Sequence, residues 1–142
     1  MNCTKENSFC HCLIYASNAL ARSITKMADE EFGKIGLASS YAFLLMTVNK
    51  HNGIQPTEIS QIMMLAPSTV TRLITKMESQ GLLERRIEGK NTHVHPTEAS
   101  LAMDSEIKLA WKRVYDRYTD KLGMSDSGQL ADMVYEAAVK LS

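Results

Sequence analysis

The sequence predicts a mainly helical fold with one small β-hairpin, in the order α-α-α-α-β-β-α-α. Three observations carry that reading. Apolar residues recur at steps of three and four along most of the 142-residue chain. Residues 82–95 instead read as two short extended runs around Glu88-Gly89-Lys90-Asn91. Only seven Gly and three Pro are present, too few for a fold built from tight β-turns.

The elements follow in order. Phe9, Leu13, Ala16, Leu20, Ile24 and Met27 place one apolar stripe on a helix over about residues 8–31, which Gly33 and Gly36 end. Ser39 or Ser40 can cap a second helix that carries Tyr41, Leu44, Leu45 and Val48, closed by Asn52-Gly53. Pro56 with Thr57 and Glu58 starts a short third helix. Leu65-Ala66-Pro67 interrupts it, and Pro67 opens a fourth helix that runs to about residue 80, before Gly81. Two strands, about 82–87 and 92–95, make the hairpin. Thr97 can cap a long helix over 98–122, with Ile107, Trp111, Val114, Tyr118 and Leu122 on one side. After Gly123, Ser125 can cap a last helix with Leu130, Met133, Val134, Ala137 and Leu141 on its stripe.

Composition bounds the function. Hydrophobic residues make up 44% and charged residues 23%, the balance of a soluble globular chain. The apolar runs at 42–46 and 62–66 are five residues long, far short of the ~20 that a membrane span needs. With no secretory leader read at its start, the chain is expected in the cytoplasm, away from membranes. The 16 basic and 16 acidic side chains cancel, which argues against a non-specific polyanion binder. Their distribution is uneven: residues 66–96 hold five Lys/Arg against three Asp/Glu, and residues 97–142 hold six against eight.

The fourth helix is sharply two-faced. Val70, Leu73, Ile74 and Met77 form its apolar stripe. Ser68, Thr69, Thr71, Arg72, Thr75, Lys76 and Ser79 form the other side. Two short helices joined by a tight turn, followed by a basic hairpin, make a winged helix-turn-helix pattern. A helix about 10–12 Å wide fits the major groove of B-DNA. Small hydroxyl residues at its start permit close approach, and Arg72 can offer two parallel donors to guanine O6 and N7. Lys76 suits a phosphate or a base edge. Thr57 at the start of the third helix is placed to meet a phosphate. The expected DNA-contacting set is Thr57, Pro67, Ser68, Thr69, Thr71, Arg72, Thr75, Lys76, Arg86, Lys90, Asn91 and His93. The wing histidines His93 and His95 are expected to face solvent or DNA. A protein-interaction module of the same shape, without DNA binding, is the alternative from another class.

The run 67–74, Pro-Ser-Thr-Val-Thr-Arg-Leu-Ile, and the run 77–85, Met-Glu-Ser-Gln-Gly-Leu-Leu-Glu-Arg, resemble the recognition helix and first wing strand of the MarR family of bacterial transcription regulators. The long first helix, Ile35-Gly36-Leu37 and two C-terminal helices extend the similarity over almost the entire chain. The resemblance implies a homodimer in which the first and last two helices interlock, its two winged lobes straddling a near-palindromic operator on double-stranded DNA. It implies a repressor released by a small ligand or by thiol oxidation. On that layout residues 1–36 and 98–142 form the dimerisation helices and residues 37–97 the DNA-binding lobe, in one integrated domain. The terminal helices support the dimer by themselves, because their apolar stripes flank a small central lobe and need a cover. The family's ligand pocket would draw on Tyr15, Met46, Trp111 and Tyr115 here. The chain departs from the family in its short wing tip, where Lys90 stands nearest the usual arginine, and in Ala66, which cannot cap through its side chain.

Residues 9–17 are similar to the first helix of the OhrR-type, peroxide-sensing subgroup, and Cys10 falls on the reactive-cysteine position. Ile24 and Ser39 stand where that subgroup has its assisting tyrosines. The other reading makes Cys10 and Cys12 small apolar fillers. Three cysteines within the first twelve residues do not make a disulfide framework across a fold. Cys10 and Cys12, two apart on a helix, diverge and cannot clamp a metal together, and His51, His93 and His95 complete no four-ligand set. No cofactor is expected. No Gly-rich phosphate loop and no nucleophile with a base and orienter appears, so no catalysis is expected.

Overall fold

The structure, a computed structural model, describes residues 8–123 and 127–142. Its elements are α1 (Leu13–Gly33), α2 (Ser39–Lys50), α3 (Pro56–Met63), α4 (Pro67–Ser79), β1 (Leu83–Glu88), β2 (Asn91–Pro96), α5 (Glu98–Leu122) and α6 (Gly128–Leu141). The mainly helical class with a single antiparallel hairpin is as the sequence predicts. The chain divides into two compact units, residues 28–111 and residues 1–27 with 112–142.

Residues 28–111 hold the main core. Phe32, Leu44, Leu45, Val48, Ile59, Val70, Ile74, Val94 and Ile107 are fully buried, and Met77 and Leu83 nearly so. The predicted stripes of the second and fourth helices supply most of these. Neither Ser39 nor Ser40 caps α2: Ala38 is the N-cap residue and has no side chain to offer. The free Ser39 N–H is instead taken by Asp29 Oδ1 at 2.8 Å, a carboxylate ten residues away. Thr97 does cap α5, accepting from Ser100 N–H at 3.3 Å while donating to the Gly81 carbonyl at 2.7 Å. α3 ends on Met64, which takes a left-handed conformation at φ 53°. That costs about 1 kcal/mol or more in a non-glycine residue. It is held by backbone bonds and by the Ser60 hydroxyl on the Leu65 carbonyl at 2.6 Å. The strained residue makes the tight corner from which α4 departs.

Both strands sit one residue off the sequence expectation, because Glu88 and Asn91 pair directly and leave a two-residue loop. Gly89, at φ 67°, supplies the positive dihedral that such a loop needs at its first position. The far edge of β2 is not free. Gly53 N–H donates to the Val94 carbonyl at 2.9 Å and Val94 N–H to the Ile54 carbonyl at 2.8 Å. A half-buried bridge joins α2 to α5, where Asn49 binds Ser100 and Asp104. Burial pulls the Asp104 carboxyl up, but hydrogen bonds from Lys108 and Asn49 outweigh it and hold the group below the usual range.

In the other unit, α1 starts at Leu13 rather than near residue 8. Cys12 N–H closes a turn on the Phe9 carbonyl at 2.8 Å, which keeps the preceding residues off the helix. Ser125 lies outside the described residues. Ser127 is the N-cap residue of α6 without a side-chain cap, and its hydroxyl pairs with Thr119 at 2.8 Å. Burial raises the Tyr118 phenol, against a lowering hydrogen bond with Ser127. The apolar stripes of this unit are only partly covered. Val114 is buried, but no residue of α6 is, and Met133, Val134 and Leu141 are exposed, as are Leu13, Ile14 and Leu122. Leu20, Ile24, Tyr118, Leu122, Leu130 and Val134 line a groove of about 390 Å³. No helix among the described residues is long and apolar enough to cross a membrane.

Candidate nucleic-acid interface

Pro67 lies in the first turn of α4, where its missing N–H costs nothing. Val70, Ile74 and Met77 anchor the helix in the core, with Leu73 half-buried beside them. Rotation away from that stripe brings Ser68, Thr71, Arg72, Thr75, Lys76 and Ser79 to the surface, while Thr69 is half-buried. The expected two-faced helix is therefore present. Among the described residues, Ser68, Arg72 and Lys76 make no side-chain hydrogen bond or ion pair.

The threonines differ. The Thr71 hydroxyl donates to the Pro67 carbonyl at 3.0 Å, and that of Thr75 to the Thr71 carbonyl at 2.9 Å. Their hydrogens are thus committed to the helix itself, a common habit of hydroxyls one turn after a carbonyl. They can still accept, and Thr75 already does so from Arg85.

Arg85, absent from the expected contacts, locks the hairpin to α4. Its peptide N–H and guanidinium donate to the two Glu78 oxygens at 2.8 and 3.0 Å. A second guanidinium nitrogen reaches the Thr71 carbonyl at 3.1 Å and Thr75 Oγ1 at 2.8 Å. With one oxygen on the peptide N–H and the other on the guanidinium, the Glu78 carboxylate is fixed in both distance and orientation. Its signal in the sequence was a lone acid, Glu78, on the otherwise cationic side of the fourth helix.

On the hairpin, Lys90 and Asn91 are exposed at the tip and Thr57 is exposed at the start of α3. Arg86 is exposed and pairs with Glu84 at 3.3 Å, whose carboxyl it holds below the usual range by hydrogen bond and charge. His93 and His95 depart from the expectation. Neither points freely outward: both are half-buried and turned against the loop after α2, His93 Nδ1 lying 2.7 Å from the Gly53 carbonyl. The physical reason is the backbone bridge between Val94 and residues 53–54, which draws the flanking side chains onto that loop.

The other expected residues lie elsewhere. Cys10 is disulfide-bonded and Cys12 is exposed and free, so neither is an apolar filler. Tyr15 is exposed with its ring 5.8 Å from that of Phe9. Tyr115 is exposed against Tyr118 at 5.5 Å. Met46 is half-buried, and Trp111 is half exposed with its ring 6.2 Å from Phe43.

A short helix, a tight corner, an anchored helix with a free cationic edge and a hairpin tied to it define a winged helix-turn-helix lobe. Residues 39–91 match the model of the MarR family, and the resemblance read from the recognition-helix and wing motifs stands. Proteins of that family are transcription regulators, not enzymes. The HTH-type transcriptional repressor MdtR of Bacillus subtilis is 29% identical over 91 residues, 64% of this chain and 57% of the relative's length. Among solved structures, the transcriptional regulator SlyA superposes with a TM-score of 0.78 at 20% identity, over 92% of this chain and 94% of that one. The S. aureus MepR–DNA complex gives 0.77 at 12% identity, over 92% and 98%.

Proposed function

We propose that this chain is a sequence-specific, double-stranded-DNA-binding transcription regulator that works as a homodimer. One observation carries it: α4 is held by Val70, Ile74 and Met77 while Ser68, Arg72 and Lys76 stand exposed and uncommitted on its opposite side. The edge of α4 enters the major groove, with Pro67, Ser68 and Thr69 at the close approach, Thr71 and Thr75 as acceptors, and Arg72 and Lys76 as donors. Thr57 meets a phosphate, and Arg86, Lys90 and Asn91 of the hairpin meet the adjoining backbone or minor groove. His93, turned onto the loop after α2, is not among these contacts. The similarity to a repressor and to a DNA-bound neighbour supports this reading.

The uncovered apolar residues of α1 and α6 support two-fold assembly, which also suits two half-sites about one helical turn apart on a near-palindromic operator. Val134→Glu is expected to leave the chain folded and monomeric in sedimentation, because a charge at a closed apolar contact has no partner. An unchanged dimer would place the contact elsewhere. Repression in the cytoplasm, relieved by a small ligand or by oxidation that takes a reduced Cys10 to its disulfide-bonded form, completes the proposal. With the Cys10 disulfide first reduced, mild peroxide should release DNA from the wild type and not from Cys10→Ser; release from both removes Cys10 from the signal.

Binding to operator duplex over a range of salt tests the main reading. Each neutralised phosphate contributes about 0.9 to the magnitude of the log–log salt slope. Lys90→Ala should lower affinity across sequences and reduce that magnitude by about one. An unchanged slope would take Lys90 off the backbone.

A further inference from the structure

Paired residues share a face of a hairpin and alternate along each strand. Glu84, Arg86 and Glu88 therefore lie on the same face as Asn91, His93 and His95. Two histidines on this face have acceptors at both ring nitrogens. His93 Nδ1 is 2.7 Å from the Gly53 carbonyl, and its Nε2 is 3.7 Å from Glu88 Oε2. His95 Nδ1 meets Asn52 Oδ1, and its Nε2 is 3.4 Å from Glu88 Oε1. His95 Nε2 is buried and has no hydrogen-bond partner.

A carbonyl oxygen only accepts, so His93 Nδ1 carries hydrogen. In the neutral ring Nε2 is then a lone pair, and it faces a carboxylate that also only accepts. The neutral arrangement sets like against like. A proton taken from solvent onto Nε2 turns it into a charge-assisted contact. The other charges around the cluster nearly cancel. On β1, Arg86 stands opposite His93 and Glu84 opposite His95, and the two pair with each other. Lys50 at the end of α2, His51 in the turn and Glu58 on α3 are exposed.

We propose that Glu88, His93 and His95 form a proton-operated clamp that fastens the hairpin to the loop after α2, so that the lobe grips duplex DNA more tightly in mild acid than in mild base. The DNA half of this statement rests on the function proposed above. Glu88 adjoins the Gly89-Lys90 loop, so closure steadies Lys90. It also offsets a negative charge beside the expected phosphate path.

The test has a DNA-free arm and a DNA arm, both on the full chain with a metal chelator present. In the first, amide hydrogen exchange is followed at Gly53 and Val94, whose N–H groups bridge the loop to β2. Corrected for intrinsic rates, protection should rise about two- to fivefold on acidification in the wild type, the range of a half-exposed ion pair. It should stay flat in Glu88→Gln, or in His93→Gln if the first variant fails to fold. Equal rises in wild type and variant overturn the clamp. So does a rise that is absent with the chelator and appears only in a parallel run with added zinc and no chelator. In the second arm, wild-type affinity for operator duplex should tighten by a similar factor more than that of Glu88→Gln, which keeps every histidine. Equal tightening overturns the link to grip. Absence of duplex binding at every pH overturns the DNA reading itself, and the exchange arm still decides the clamp.

Discussion

Arg72→Ala is expected to weaken operator binding by about 1–3 kcal/mol, roughly a five- to 150-fold loss, and to relax preference at the base pair it reads. The side chain is exposed, makes no hydrogen bond or ion pair among the described residues, and projects from a helix whose opposite side is fixed in the core. Its planar fork matches the two acceptors of guanine, so the loss should be concentrated on one base pair of each half-site. Thermal stability should change by less than about 0.5 kcal/mol, as for surface substitutions away from special features. Competition between operator variants checks both parts. Equal preference before and after the change would take Arg72 out of base reading, even if overall affinity fell.

Ile74→Ala is expected to destabilise the chain by about 2–5 kcal/mol. Ile74 is fully buried, and Val70, Met77 and Leu45 are similarly enclosed, so truncation leaves a cavity that close-packed neighbours fill only in part. The loss exceeds that of Arg72→Ala in stability and reverses its pattern. Denaturant unfolding should show an earlier midpoint with little change in slope, and operator preference should be retained by the folded fraction. A stability loss under about 1 kcal/mol would mean that α4 is not anchored through this face. The pair of substitutions thus separates what holds the helix from what the helix presents.

Much of this lobe was legible from residue order. Pro67 and the Val70, Ile74, Met77 spacing determine where α4 begins and which side is buried, because both are local properties of a helix. Thr97 likewise marks the start of α5. Contacts between distant segments were not legible. Asp29 serves the start of α2 from ten residues upstream, and Ser39 and Ser40 are bystanders. Arg85 looks in sequence like one more cation of a basic hairpin. The fold turns it inward to Glu78, because its strand position alternates with that of exposed Arg86. His93 read as a wing contact for the same reason; only the bridge of Val94 to residues 53–54 turns it to the loop. At the termini, periodicity marks apolar stripes on α1 and α6, though Phe9 falls outside α1, and it cannot say what covers them. Within one chain Met133, Val134 and Leu141 are exposed.

The central claim is that the uncommitted edge of α4 meets duplex DNA. It is tested most directly by recording backbone amide shifts of the labelled protein as an operator duplex, selected from the source genome, is added. The largest changes are predicted at residues 67–76 and at the hairpin tip around Lys90. Saturable binding with those amides unmoved, and the changes gathered on another surface, would contradict it.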